Sequence, residues 1–196
     1  MKNSIKIAGG KYKGKAIPWT FQDIGITTQK VKEALFSILG NIEKKGFADL
    51  FGGSGQIAFE ALSRGASPVI CSEFDRVRAG LISAFGAKNF KDLPFMPLNM
   101  SSFQAMKFIS KRGIKPDYIF IDPPYNKNGG GTALYFETAG AIIKHGLAFD
   151  GSVMIVQHFS KNILPDQIEA FQRIKERKYG STTLSFYEYD SSSSSV

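Results

Sequence analysis

The 196-residue chain is 43% apolar and 21% charged, enough to bury the core of one α/β domain with a small appendage. Its single cysteine, Cys71, excludes an internal disulfide, and its two histidines, His145 and His158, stand in no Cys or His cluster that would hold zinc. With 25 Lys and Arg against 17 Asp and Glu the formal net charge is +8, which suits a polyanionic partner. No signal-type apolar stretch opens the chain and no run reaches membrane-spanning length, so a cytoplasmic protein is expected.

Residues 4–19 are predicted to form a small β-hairpin, in which 4–8 and 15–17 alternate apolar and polar residues and Gly9-Gly10 and Gly14 supply the turn. Lys2, Lys6, Lys11, Lys13 and Lys15 all precede the first acid, Asp23. Lys11, Lys13 and Lys15 are therefore candidate phosphate contacts, and binding through them weakens steeply with salt. Val31, Ala34, Leu35 and Ile38 then recur at helical spacing, with Thr28 as N-cap and Gly40 as stop.

From Phe47 onward short apolar runs alternate with helical segments. The predicted strands are 47–51, 68–72, 95–98, 118–121, 153–157, 174–179 and 183–189, and the predicted helices start near Gly55, Asp75, Ser101, Thr132 and Pro165. Ser101 and Gln104 have the spacing of a capping box. Such alternation builds crossover units: a seven-stranded, mainly parallel α/β sheet. The last two strands, parted only by Gly180-Ser181, are expected to pair antiparallel. The expected organisation is a hairpin extension over 1–25, one α/β domain over 26–190 and a solvated serine tail over 191–196.

In open parallel sheets ligands bind beyond the carboxyl ends of the strands. After the first strand of the domain comes Asp49-Leu50-Phe51-Gly52-Gly53-Ser54-Gly55, where glycines let a ligand press against backbone. Twenty residues after Gly53, Glu73 ends the second strand, placed to accept the hydroxyls of a ribose. Gly53-Ser54-Gly55-Gln56-Ile57-Ala58 also satisfies the dinucleotide pattern, so a hydride-transferring, NAD-dependent oxidoreductase is an alternative at this point. Asp49 weighs against it, because a carboxylate repels a pyrophosphate and suits a cationic or amino-bearing ligand. Asn99 and Met100 follow the third strand as candidates to pair with and flank an adenine. Cys71, inside an apolar run, reads as a small buried hydrophobe.

The most informative stretch ends the fourth strand: Asp122-Pro123-Pro124-Tyr125. Proline holds the residue before it extended, and neither proline has an N–H to extend a ladder. The Asp122 carboxylate and the Pro123 carbonyl then make two neighbouring acceptors that suit the two donors of an NH₂ group, and Tyr125 offers a ring on which a base stacks. Two such hydrogen bonds orient an amine whose lone pair is delocalised, and they stabilise positive charge as a methyl group arrives. S-adenosyl-L-methionine is the matching donor, since its sulfonium needs neither metal nor covalent nucleophile. The following Asn126-Lys127-Asn128-Gly129-Gly130-Gly131 is a polar segment able to close over an extracted base.

Asp-Pro-Pro-Tyr is shared by amino-methyltransferases of adenine N6 and guanine N2, so the tetrapeptide alone leaves the base open. The rest of the chain resembles the RsmD-type 16S rRNA guanine-N2 methyltransferases. The resemblance lies in Ile7-Ala8-Gly9-Gly10-Lys11-Tyr12-Lys13-Gly14-Lys15 (the hairpin), in Thr27-Thr28-Gln29-Lys30-Val31-Lys32-Glu33-Ala34-Leu35-Phe36, in the glycine loop and in Glu60-Ala61-Leu62-Ser63-Arg64-Gly65-Ala66. It implies a Rossmann-like class I methyltransferase fold, S-adenosyl-L-methionine as cofactor, and 16S rRNA or the small ribosomal subunit as partner, with the enzyme expected to act as a monomer. Asp49, Gly53, Gly55, Glu73 and Asn99 are the implied cofactor residues, with Phe51 and Met100 as further candidates. Asp122, Pro123 and Tyr125 are the implied base-handling residues, with Pro124 beside them. The chain departs from the family at Gly52, usually Ala, at Gly25-Ile26, where an Arg-Pro pair is usual, and at Lys30 and Lys32, where lysines replace arginines and give up bidentate phosphate geometry. An adenine-N6 methyltransferase and a non-catalytic RNA-binding module with a relic pocket are the remaining alternatives.

Overall fold

The computed structural model describes residues 5–19, 26–123 and 132–194. The chain divides into two compact units, 1–101 and 102–196.

The first unit opens with the hairpin, β1 (Ile5–Lys6) and β2 (Ala16–Ile17), paired antiparallel with Ile5 opposite Ile17. Helix α1 (Gln29–Leu39) follows with the expected ends: the Thr28 hydroxyl accepts the Val31 N–H, and Gly40 closes it. Strands β3 (Phe47–Asp49), β4 (Val69–Glu73) and β5 (Phe95–Asn99) are parallel, with Phe47 beside Val69 and Val69 beside Phe95. Helices α2 (Gln56–Ser63) and α3 (Arg76–Asn89) connect them. The Asp75 carboxylate caps α3 by accepting the N–H groups of Val77 and Arg78.

Every residue of α2 is buried, which a helix on the open face of a sheet would not be. The hairpin supplies the missing cover. Glu60 accepts the Ala8 N–H at 2.6 Å, the Ser63 carbonyl and hydroxyl accept the N–H groups of Lys11 and Tyr12, and the Ser63 hydroxyl donates to the Gly9 carbonyl. Tyr12 packs edge-on against Phe90, which joins Phe59, Phe85 and Phe95 in an aromatic cluster.

Lys32 is not a phosphate ligand. It is 1% exposed, its ammonium donates to the Lys6 carbonyl, and it lies 3.8 Å from the fully buried Glu60, which also pairs with Arg64. Burial lowers its pKa and Glu60 opposes the shift. A lysine suits this place because a flexible stem delivers one compact charge to a carbonyl.

The second unit holds α4 (Ser102–Ser110), β6 (Tyr118–Ile121), α5 (Ala133–Lys144) and β7 (Val153–Phe159), with β6 and β7 parallel. The predicted helix after Pro165 does not form. In its place lies β8 (Gln167–Ile168), which turns at Glu169 into β9 (Phe171–Tyr179). Arg173 explains the difference: it bonds the Leu164 carbonyl, pairs with Asp166 and donates its own N–H to the Asp166 carbonyl, while the Tyr187 hydroxyl holds the Pro165 carbonyl. These bonds consume the groups a first helical turn would need. Strand β10 (Thr182–Tyr189) runs antiparallel to both β7 and β9, as expected for the last pair. Three strands in the first unit's sheet and five in the second's make eight, one more than the sequence suggests. Of the serine run, residues 191–194 form a 3-10 turn in which Ser191 bonds to Asp150. No helix among the described residues is long and apolar enough to cross a membrane.

Candidate active site

In the first unit the glycine loop leaves β3 and enters α2. Asp49 is buried and its carboxylate accepts the Phe51 N–H, which turns the chain sharply after the strand. The Gly52 N–H bonds the Ser72 carbonyl and the Gly55 N–H returns to the Gly52 carbonyl, which closes the loop on itself. Gly53 and Gly55 both have positive φ, 53° and 73°. They differ in what surrounds them. A Cβ at Gly55 would meet the Phe59 ring at 2.8 Å and Ile82 at 3.0 Å, whereas a Cβ at Gly53 would meet only the Phe51 carbonyl, at 3.9 Å. Gly55 is required by packing; Gly53 keeps an open surface bare.

Glu73, at the end of β4, is anchored before any ligand arrives. One carboxylate oxygen accepts the Gly53 N–H at 2.8 Å; the other accepts the Asp75 N–H and pairs with Arg78. The loop and the acid that spacing alone connected are thus directly bonded. Asn99, at the tip of β5, donates its amide NH₂ to the carbonyls of Glu73 and Phe74, so its own Oδ1 faces away as an acceptor, the polarity that an adenine amino group requires. The Met100 carbonyl is held by the Ser72 hydroxyl, and Phe51 is half-buried at the loop.

Phe74 was not among the expected residues. It follows Glu73 directly and its side chain is 77% exposed, with Val77 62% exposed in the first turn of α3. A large aromatic left bare beside a ribose-type acid and an adenine-type amide is a ready stacking face. Its position next to the strand-ending acid is the signal that would have found it. Cys71 lies beneath this region as the inert hydrophobe anticipated: burial pushes its thiol well up, and the Asp49 and Glu73 carboxylates add to the shift.

In the second unit Asp122 follows β6 directly, and Pro123 after it is buried. The register that sets Ile121 beside Val156 brings Gln157 of β7 alongside, and the Gln157 amide donates to Asp122 Oδ2 at 2.6 Å. Gln157 is 4% exposed and was also unforeseen. It reveals itself only once β6 and β7 are known to be neighbours. Tyr135 of α5 is buried nearby, and burial first, then the Asp122 charge, raises its hydroxyl pKa out of reach of neutral pH. His158 is buried against Tyr135 and Ser185, and burial lowers its pKa. Pro124, Tyr125 and the polar segment 126–131 lie outside the described residues.

The hairpin's lysines differ among themselves. Lys11 and Lys13 are exposed, whereas Lys15 is half-buried with its ammonium on the Asn89 side-chain oxygen at 2.7 Å. Lys11 and Lys15 both lie 5.7 Å from the centre of the Tyr12 ring.

Parallel strands joined by helices, a glycine loop bonded to the acid of the next strand and an antiparallel last strand are the architecture of class I methyltransferases. The solved "Putative methyltransferase yhhF from Escherichia coli" matches it with a TM-score of 0.79 at 24% identity, over 96% of this chain and 99% of that one. The chain belongs to the family described as conserved hypothetical protein 95, whose model matches residues 5–188. Ribosomal RNA small subunit methyltransferase D of Escherichia coli K12 is 28% identical over 94% of this chain and 89% of that protein, which bears out the RsmD-type resemblance. The uncharacterized methylase RP545 of Rickettsia prowazekii is also 28% identical, over 95% and 98%.

Proposed function

We propose that the protein transfers the methyl group of S-adenosyl-L-methionine to the exocyclic N2 of a guanine in the 16S RNA of the small ribosomal subunit. The observation that carries this reading is the Gln157 amide bonded to Asp122, because it orients the carboxylate of the Asp-Pro-Pro-Tyr segment. The small-subunit rRNA methyltransferase among the relatives favours RNA as substrate and a sulfonium over a nicotinamide.

The residues of the first unit fit the adenosyl part of that cofactor. Glu73 would take the ribose hydroxyls, Asn99 Oδ1 the adenine amino group, and Phe74 and Met100 the faces of the ring, with the bare backbone at Gly53 allowing close approach. When bound, the cofactor supplies a methyl group already activated by positive sulfur. In the second unit Asp122 and the Pro123 carbonyl would accept the two N–H groups of the guanine amine, while Tyr125 stacks on the base. Held by these two acceptors, the amine would aim its lone pair at the methyl group, whose bonding electrons stay on sulfur as the N–C bond forms. Both acceptors would stabilise the positive charge that develops on nitrogen, and one N–H proton would then pass to solvent.

The test is incubation of the protein with unmodified small-subunit RNA and labelled S-adenosyl-L-methionine, followed by mass spectrometry of the nucleosides. N2-methylguanosine is the expected product. N6-methyladenosine would overturn the choice of base, and no incorporation would overturn the activity.

A further inference from the structure

The hairpin and helix α3 enclose a groove of about 340 Å³ that plays no part in the chemistry above. Its volume falls in the range of roughly 300–1,000 Å³ typical of small-molecule clefts. Pro18, Leu81, Ala84 and Phe85 make it apolar inside, and Lys15, Lys88 and Asn89 supply its polar groups. No acidic residue lines it among the described residues.

The two lysines are placed differently. Lys15 is held by neutral partners, the Asn89 side-chain oxygen at 2.7 Å and the Tyr12 ring, and Asn89 is itself fixed through its NH₂ on the Phe85 carbonyl. Lys88 is exposed in the last turn of α3. Neither has a carboxylate partner among the described residues. A cation oriented by neutral groups keeps its charge available to an incoming anion, and Lys11 and Lys13 of the hairpin add to the field. An apolar slot with two uncompensated ammonium groups matches one chemistry well: a flat base attached to a phosphate.

We propose that this groove binds one unstacked nucleotide of single-stranded RNA, its base against Pro18, Leu81 and Phe85 and its phosphate on Lys15 and Lys88. The inference rests on the reading of RNA as substrate and adds a binding subsite to it. Such a subsite lets a small enzyme grip RNA through a nucleotide that it does not modify.

The experiment titrates a fluorescein-labelled single-stranded oligouridylate against the full chain by anisotropy at several salt concentrations. Ala84→Leu fills the groove from an exposed helix position without changing charge, and Lys15→Gln with Lys88→Gln removes the cations. Ala84→Leu should weaken binding about tenfold with the salt slope unchanged, and the lysine pair, which loses one phosphate contact, should flatten that slope by about 0.7. Polyglutamate of equal charge should feel the lysine changes and ignore Ala84→Leu. Oligouridylate binding unaltered by Ala84→Leu would overturn the groove as a nucleotide subsite, and so would an equal loss of polyglutamate binding. Calorimetry with S-adenosylhomocysteine reports on folding. Should Ala84→Leu lose that signal, Lys88→Gln alone decides, with an unchanged slope overturning the proposal. Failure of the unaltered protein to methylate RNA, with the groove variants still losing affinity, would sink the activity and leave the subsite standing.

Discussion

Glu73 and Asp122 are both carboxylates at the tips of parallel strands, yet they are fixed by different means. Glu73 is held by backbone N–H groups of Gly53 and Asp75 and by Arg78, all within twenty residues of it in the chain. Asp122 is held by the side chain of Gln157, thirty-five residues away on the neighbouring strand. The proposed adenosyl site is therefore a property of a loop and its adjoining strand, whereas the proposed base site is a property of sheet register. A defect in the first should show as lost cofactor binding, and a defect in the second as slow chemistry on a normally bound cofactor.

The sharpest way to break that contrast is Asp122→Ala. We expect methyl incorporation to fall by a factor of about 10³, the scale of losing a transition-state hydrogen-bond partner, with S-adenosylhomocysteine affinity unchanged by calorimetry. The two glycines sharpen it next. Gly55→Ala combines a positive φ with collisions against Phe59 and Ile82 and should cost about 2–4 kcal/mol in thermal or denaturant unfolding. Gly53→Ala meets no such wall and should cost about 1 kcal/mol of stability, while cofactor affinity drops about tenfold, or 1.4 kcal/mol. Gln157→Leu, which removes the amide and keeps the bulk, should lower kcat about tenfold and leave the KM for RNA and cofactor affinity nearly unchanged. A matching loss of cofactor binding would show that the two sites are not separable.

The smallest effect concerns the second unit's interior. Burial holds the His158 pKa below its ordinary value, so the unfolded chain binds a proton that the folded chain refuses. Stability should fall as pH drops from 6.5 toward the folded pKa, and remain reduced below it. His158→Gln should flatten that acid limb in denaturant titrations at a series of pH values.

What the sequence made legible was local. The cap at Thr28, the helix start near Asp75, the glycine loop and the strand-ending acid are all set within a few residues or by a fixed spacing, and each forms as read. What it concealed was tertiary. Gln157 acquires its role only through the pairing of β6 with β7, and the segment after Pro165 is pulled into a strand by Arg173 from beyond it. Lys32 is an instructive case. Counted with Leu35 and Phe36 it falls on the buried stripe of α1, so helical spacing contained the warning that residue type obscured.

The ionic knot at Glu60 has a bearing on engineering and on descent. Because that carboxylate has no exposure and is shared among Ala8, Lys32 and Arg64, the first fifteen described residues are not a detachable handle. Grafting another hairpin in their place would cost Glu60 one hydrogen bond and leave the buried Lys32 ammonium without its carbonyl, unless the replacement presented a backbone N–H to Glu60 and a carbonyl to Lys32. Lys32, Glu60 and Arg64 should therefore travel as a set when such chains diverge or are recombined.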